Sequence, residues 1–211
     1  MKQFWEESWK NIDISRVDEY INRTNIEPSS DIIIDYLKEC QAKTVCDAGC
    51  GCGAYSLKLA LNGFSVSGFD ISSDAVKISE ELMSSKHINY GSFDTYDVQK
   101  TNYANGQFDA VVCRDVIDHM TFADGIKAIN ELFRIVKIGG SVILTLDISD
   151  SEYETEPHFV NTDGDYLYTD GKWNGMVFHP YTANAISELV QVGKAVKAIS
   201  DTDRIIVVIV K

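Results

Sequence analysis

The sequence predicts an α/β domain: a mostly parallel sheet with helices on both faces and an antiparallel strand pair at the C-terminal end. Two observations carry this. From Thr44 onward, short apolar runs alternate with amphipathic helical stretches, the texture of strands joined by crossover helices. Near the C-terminus, Val196-Lys197-Ala198-Ile199 and residues 204–210 are two apolar runs joined by Asp201-Thr202-Asp203, a strand pair around a turn.

The elements follow in order. Residues 1–43 read as helical; Ile32, Ile33, Tyr36 and Leu37 form one apolar stripe behind a Ser30/Asp31 cap. Residues 44–147 form the alternating core. Thr44-Val45-Cys46 leads into a glycine-rich loop, and Tyr55 to Asn62 is a helix ending at Gly63. Phe64 to Phe69 is a strand ending at Asp70, and Ser73 to Ser85 is a helix. A short strand lies around Phe93, and Phe108 to Cys113 is a buried strand. A helix from Gly125 to Val136, closed by Gly139-Gly140, precedes a strand from Ser141 to Leu146. Residues 148–181 break the alternation: they are polar, aromatic and rich in turns, with Asp163-Gly164 and Asp170-Gly171 as hairpin signals. Residues 182–211 supply a last helix and the strand pair. The whole is expected to be one domain.

Composition narrows the function classes. The 211 residues are 45% hydrophobic, which suits a filled core, and no apolar run is long enough to span a membrane. An acidic, aromatic N-terminus is unlike a secretory signal, so a cytoplasmic location is expected. The five cysteines include Cys46, Cys50 and Cys52, too close together to cross-link distant parts of a fold, and they read as free thiols. Their spacing suits no cluster, and no metal site is expected. With a net charge of −13 and scattered lysines, the chain lacks the basic stripe that grips phosphates. A small-molecule substrate is expected, with no nucleic acid or membrane partner, on a monomer or homodimer.

The loop Asp47-Ala48-Gly49-Cys50-Gly51-Cys52-Gly53 lies between a strand and a helix, where open α/β sheets bind ligands. A tight turn needs one glycine, not three. Gly49, Gly51 and Ala54 also satisfy the dinucleotide pattern, with Asp70 at the distance expected for a ribose-binding acid. Glycines alone therefore leave a nicotinamide-linked oxidoreductase open. Asp47 argues against it, because a carboxylate beside a pyrophosphate is repulsive. It suits a ligand that carries an amine and a sulfonium cation.

These residues resemble motif I of the class I S-adenosylmethionine-dependent methyltransferases, of the small-molecule type. The resemblance extends through Asp70, Asp97-Val98, Phe108-Asp109-Ala110-Val111-Val112, Val116 to Met120 and Gly139-Gly140-Ser141, in order. It implies a Rossmann-like, seven-stranded, mostly parallel sheet. It also implies S-adenosylmethionine as methyl donor, with S-adenosylhomocysteine (SAH) as product. Asp47, Ala48, Gly49, Cys50, Gly51, Gly53, Asp70, Ile71, Asp97, Val98 and Arg114 are the implied cofactor contacts, with Asp70 on the ribose and Asp97-Val98 on the adenine. A non-catalytic cofactor-binding module has the same signature.

Methyl transfer from a sulfonium is an in-line displacement with a neutral leaving group, so alignment and exclusion of water carry much of the rate. A base is needed only if the acceptor must lose a proton. His119 is the candidate base, and its alternative is a structural histidine. Asp115, His119, His158, Tyr168, His179 and Tyr181 are the candidate acceptor-pocket residues. Residues 148–181 read equally as an acceptor-site insertion or as a β extension packing its own aromatics or forming a dimer surface. Trp5 and Trp9, four residues apart, place a lid or a packing face on the first helix.

Overall fold

The computed structural model describes residues 2–10, 12, 14–147, 151–200 and 204–211. Three helices come first: α1 (Lys2–Trp9), α2 (Ile14–Ile26) and α3 (Pro28–Glu39). The third starts before the expected Ser30/Asp31 cap. Glu27 holds the cap position without a side-chain bond, and Pro28 opens the first turn, where its missing N–H costs nothing. The apolar stripe then buries Ile33, Ile34 and Leu37.

The core alternates as the pattern predicts: β1 (Thr44–Ala48), α4 (Ala54–Leu61), β2 (Ser65–Asp70), α5 (Ser73–Ser85), β3 (Phe93–Thr95), β4 (Phe108–Arg114), α6 (Phe122–Ile135) and β5 (Val136–Asp147). Ser72 caps α5 by accepting from the Ala75 N–H, and Thr121 caps α6 by accepting from that of Asp124. That cap starts α6 three residues before Gly125. The chain then enters β5 directly at Val136, so Gly139 and Gly140 lie inside the strand and do not close the helix.

Gly140 answers a close approach. A Cβ there would lie 2.4 Å from the Asp109 carbonyl oxygen on β4 and 3.0 Å from that of Lys137. Gly140→Ala is therefore expected to cost roughly 2 kcal/mol or more in urea denaturation. Gly139 has positive φ but open space around its Cβ position, so Gly139→Ala should carry only the left-handed strain of about 1 kcal/mol. Equal losses would mean that the contact with Asp109 is not what Gly140 serves.

The main sheet then gains β10 (Arg204–Val210) and β9 (Lys194–Ser200), in the order β3-β2-β1-β4-β5-β10-β9. Strands β1 to β5 pair in parallel, and β10 is antiparallel to both neighbours. The predicted turn at 201–203 lies outside the described residues. Successive residues of the central strands bury on opposite faces: Val45 and Val112 join α3 and α4, whereas Cys46 and Val111 join α6. Two covered faces explain the unbroken apolar runs.

Between β5 and the last helix, α8 (Ala183–Leu189), come α7 (Ser151–Thr155) and three short strands, β6 (His158–Val160), β7 (Tyr166–Tyr168) and β8 (Val177–Phe178). The strands form a separate antiparallel sheet, with Asp163-Gly164 and Asp170-Gly171 in its two connections. This sheet is fixed to the core by buried Asp165, which accepts from the Phe122 N–H at the start of α6 and bonds His179 at 2.8 Å.

Candidate functional site

The strand order reverses between β1 and β4, and a cavity of about 440 Å³ opens at the carboxyl ends of β1, β2 and β4. This is the crevice where an open parallel sheet, whose connections run away on either side, leaves room for a ligand. Trp5 and Trp9 of α1 close it from above.

The loop after β1 turns through three positive-φ glycines, Gly49, Gly51 and Gly53. A Cβ on Gly49 would lie 2.3 Å from the Val116 side chain, and one on Gly51 would lie 2.9 Å from the Trp9 ring. Side chains here would displace the two walls that the loop holds apart. Four of the loop amides are already occupied. Gly49 and Cys50 donate to the Phe69 carbonyl, Gly53 donates to that of Cys50, and Gly51 donates to Asp70 Oδ2 at 3.0 Å. A pyrophosphate site needs such amides free and pointing at the ligand.

Three acids stand around the loop. Asp47 is 2% exposed and accepts a hydrogen bond from the Ser56 hydroxyl. Burial pushes its carboxyl up to about 6, against the opposing effects of the Ser56 bond and the Arg114 charge. Asp70 accepts from the Gly51 and Ser72 amides, one on each oxygen, so it ties the loop to the start of α5. Burial raises it too, and those amide bonds restrain the rise. Each of its oxygens keeps a further lone pair for a ligand. Asp97 sits exposed at the rim, where Oδ1 accepts from the Gln99 amide, and Val98 is buried beside it.

The opposite wall is a charge network. Arg114 pairs with Glu27 at 2.6 Å, and its guanidinium lies 4.3 Å over the Tyr55 ring. Arg204, at the start of β10, reaches Glu27, Asp115 and Asp147 at 3.1, 2.9 and 3.3 Å. Burial pushes the Glu27 carboxyl up, but the two arginines outweigh it and hold it below its ordinary value. Asp115 has φ +53, a left-handed conformation unfavourable for a non-glycine residue. Its two carboxylate oxygens on Arg204 and a bond from the Thr145 hydroxyl hold it there.

His119 ends the turn Ile117–His119, edge-on to Trp5 at 5.1 Å. Burial pushes its imidazole down to about 4, so the ring is neutral at pH 7; nearby Asp115 and a backbone bond at Val177 oppose that shift. Its Nδ1 and the Oδ1 of Asp118 are buried with no partner among the described residues. Asp118 is raised well above the ordinary carboxylate range by burial and by the neighbouring Asp115 and Asp147.

Of the residues that the sequence singled out, the cavity gathers Asp47, Gly49, Cys50, Gly51, Asp70, Ile71, Asp97, Val98, Arg114, Asp115 and His119. Six others do not line it. Ala48 is buried within β1, and Gly53 packs its backbone on Ser79. Tyr168 donates its hydroxyl to the Tyr153 carbonyl inside a cluster with Met176 and Phe178, and His158 stacks on Tyr166 at 4.4 Å. His179 is spent on Asp165, and Tyr181 is buried against α6 beside Gly125. His158 and Tyr168 serve the small sheet's own packing, whereas His179 and Tyr181 pack it against α6. Sequence reading missed Glu27, Asp147, Tyr153 and Arg204, all of which line the cavity. Arg204 alone left a signal, as a lone charge opening an apolar strand.

Residues 40–189 match the family described as a methyltransferase domain. The chain is 32% identical over 130 residues to the Bacillus subtilis (strain 168) protein YqeM, covering 59% of this chain and 51% of that one. It is 33% identical over 105 residues to the ubiquinone biosynthesis O-methyltransferase of Pseudomonas paraeruginosa, covering 49% and 44%. Matches to these curated relatives thus span about half of their length. The crystal structure of magnesium protoporphyrin IX methyltransferase from Synechocystis PCC 6803 with bound SAH has the same fold. Its TM-score is 0.67 at 18% identity, over 95% of this chain and 89% of that one.

Proposed function

This chain belongs to the methyltransferase domain family, and on that premise we propose that it transfers the methyl group of S-adenosylmethionine to a small-molecule acceptor. The observation that carries this is the glycine loop with the amides of Gly49, Cys50, Gly51 and Gly53 occupied, flanked by Asp47 and Asp70. Such a site repels a pyrophosphate and suits a cofactor bearing an amine and a sulfonium. That argues against a nicotinamide-linked oxidoreductase. Asp70 takes the ribose hydroxyls, Asp97 and Val98 the adenine, and Asp47 faces the cationic end. The sulfonium methyl then points toward His119 and Asp115, where the acceptor docks beneath α1. Oxygen acceptors are the first to screen, since the Pseudomonas relative is named an O-methyltransferase.

Asp47 gives this reading a pH dependence. Its folded carboxyl titrates near 6, above the ordinary value of 3.8, so between those pH values the ligand-free fold is destabilised as pH rises. Cofactor binding runs the opposite way, because it favours the carboxylate. SAH affinity is expected to fall about tenfold between pH 7 and pH 5, and Asp47→Asn should flatten that profile. A wild-type profile as flat as the variant's removes Asp47 from the site. Methyl transfer itself is tested by incubating the protein with S-adenosylmethionine and a panel of acceptors and following SAH release. Tight SAH binding without turnover on any acceptor would favour a binding module.

A further inference from the structure

We propose that Asp118, His119 and Asp147 form a divalent cation site in the acceptor end of the cavity, of the kind that takes Mn²⁺ or Zn²⁺. One ligand atom from each residue lies within 4.8 Å of the others. Two independent features point to a missing partner. Asp118 is 0% exposed and His119 is 9% exposed, yet Asp118 Oδ1 and His119 Nδ1 meet no hydrogen-bond partner among the described residues. Orphaned polar atoms at this depth are costly unless something binds them.

Charge gives the second feature. Glu27 pairs with Arg23, Arg114 and Arg204, and Asp115 and Asp147 pair with Arg204, whereas Asp118 has no cationic partner among the described residues. Asp118 stays outside these arginine pairs, and its Oδ2 accepts from the Asp147 amide and is thereby oriented. Asp147 is held by the Tyr153 hydroxyl at 2.8 Å. Two carboxylates with one imidazole suit Mn²⁺ or Zn²⁺ better than Ca²⁺, and three protein ligands leave a coordination position open. His119 and Asp147 border the cavity, so that position faces the acceptor. Resting on the methyl-transfer reading, an acceptor hydroxyl bound there would hold its proton less tightly and sit aligned for the sulfonium methyl. On this inference His119 is a metal ligand, where the sequence suggests a base and no metal.

Mn²⁺ is the cleaner probe, because the free thiols bind it poorly. Titration followed by electron paramagnetic resonance, without cofactor, should show about one bound Mn²⁺ per chain with nitrogen coupling from one imidazole. Asp118→Asn and His119→Gln should each weaken binding roughly tenfold or more, and His119→Gln should remove the nitrogen coupling. No saturable binding to the wild-type protein overturns the proposal. Undiminished binding in either variant does so too. SAH titrations on the same samples separate the two readings: SAH without Mn²⁺ binding overturns the ion alone, and Mn²⁺ without SAH overturns the cofactor alone. SAH binding retained by both variants also shows that they are folded.

Discussion

Arg204→Ala is expected to cost the fold about 3 kcal/mol or more, the largest single loss among the cavity residues. One guanidinium at the start of β10 neutralises Glu27 beside α3, Asp115 after β4 and Asp147 at the end of β5. Removing it leaves Asp115 and Asp147 without an ion-pair partner among the described residues, with Glu27 still held by Arg23 and Arg114, and Asp115 loses the two-pronged grip that offsets its left-handed backbone. Desolvation of the stranded charges, more than the lost attraction, sets the size of the effect. Arg204→Lys restores charge but not the fork, so it should recover only part of the loss. Urea denaturation of the three proteins checks this. A loss below about 1 kcal/mol, the range of solvated surface pairs, would mean that water screens the network.

Asp70→Asn is expected to weaken SAH binding by roughly 2 kcal/mol, about thirtyfold, while leaving the protein folded. Its carboxylate both accepts from the Gly51 amide and offers its remaining lone pairs to the ligand. Asparagine keeps the shape but has only one acceptor oxygen, so either the loop or the α5 amide loses its partner, together with the charge-assisted bonds to the ribose. Calorimetric titration with SAH reads the affinity, and a denaturation curve on the same variant reads the cost of the lost anchor. Unchanged SAH affinity would remove Asp70 from the cofactor contacts.

The core was legible because its signals are local. Asp47, the three glycines and Asp70 lie within 24 residues, and alternation of strand and helix places each acid at a strand's carboxyl end. Gly139-Gly140 misled because a glycine pair signals a helix end and a close strand approach alike. The acceptor wall was not legible. Glu27, the pair Asp147 and Tyr153, and Arg204 come together from three distant stretches, and no spacing in the chain reports that. In residues 148–181 aromatic density suggested a pocket for His158, Tyr168, His179 and Tyr181. The same density builds the small sheet's own core, and composition cannot separate the two uses.

Calorimetric titration of the purified chain with S-adenosylmethionine, SAH and NAD tests the central claim most directly. One site per chain is predicted for S-adenosylmethionine and SAH, competing with each other, and none for NAD. Absence of binding by both sulfur ligands, or saturable binding of NAD in the same cavity, would contradict it.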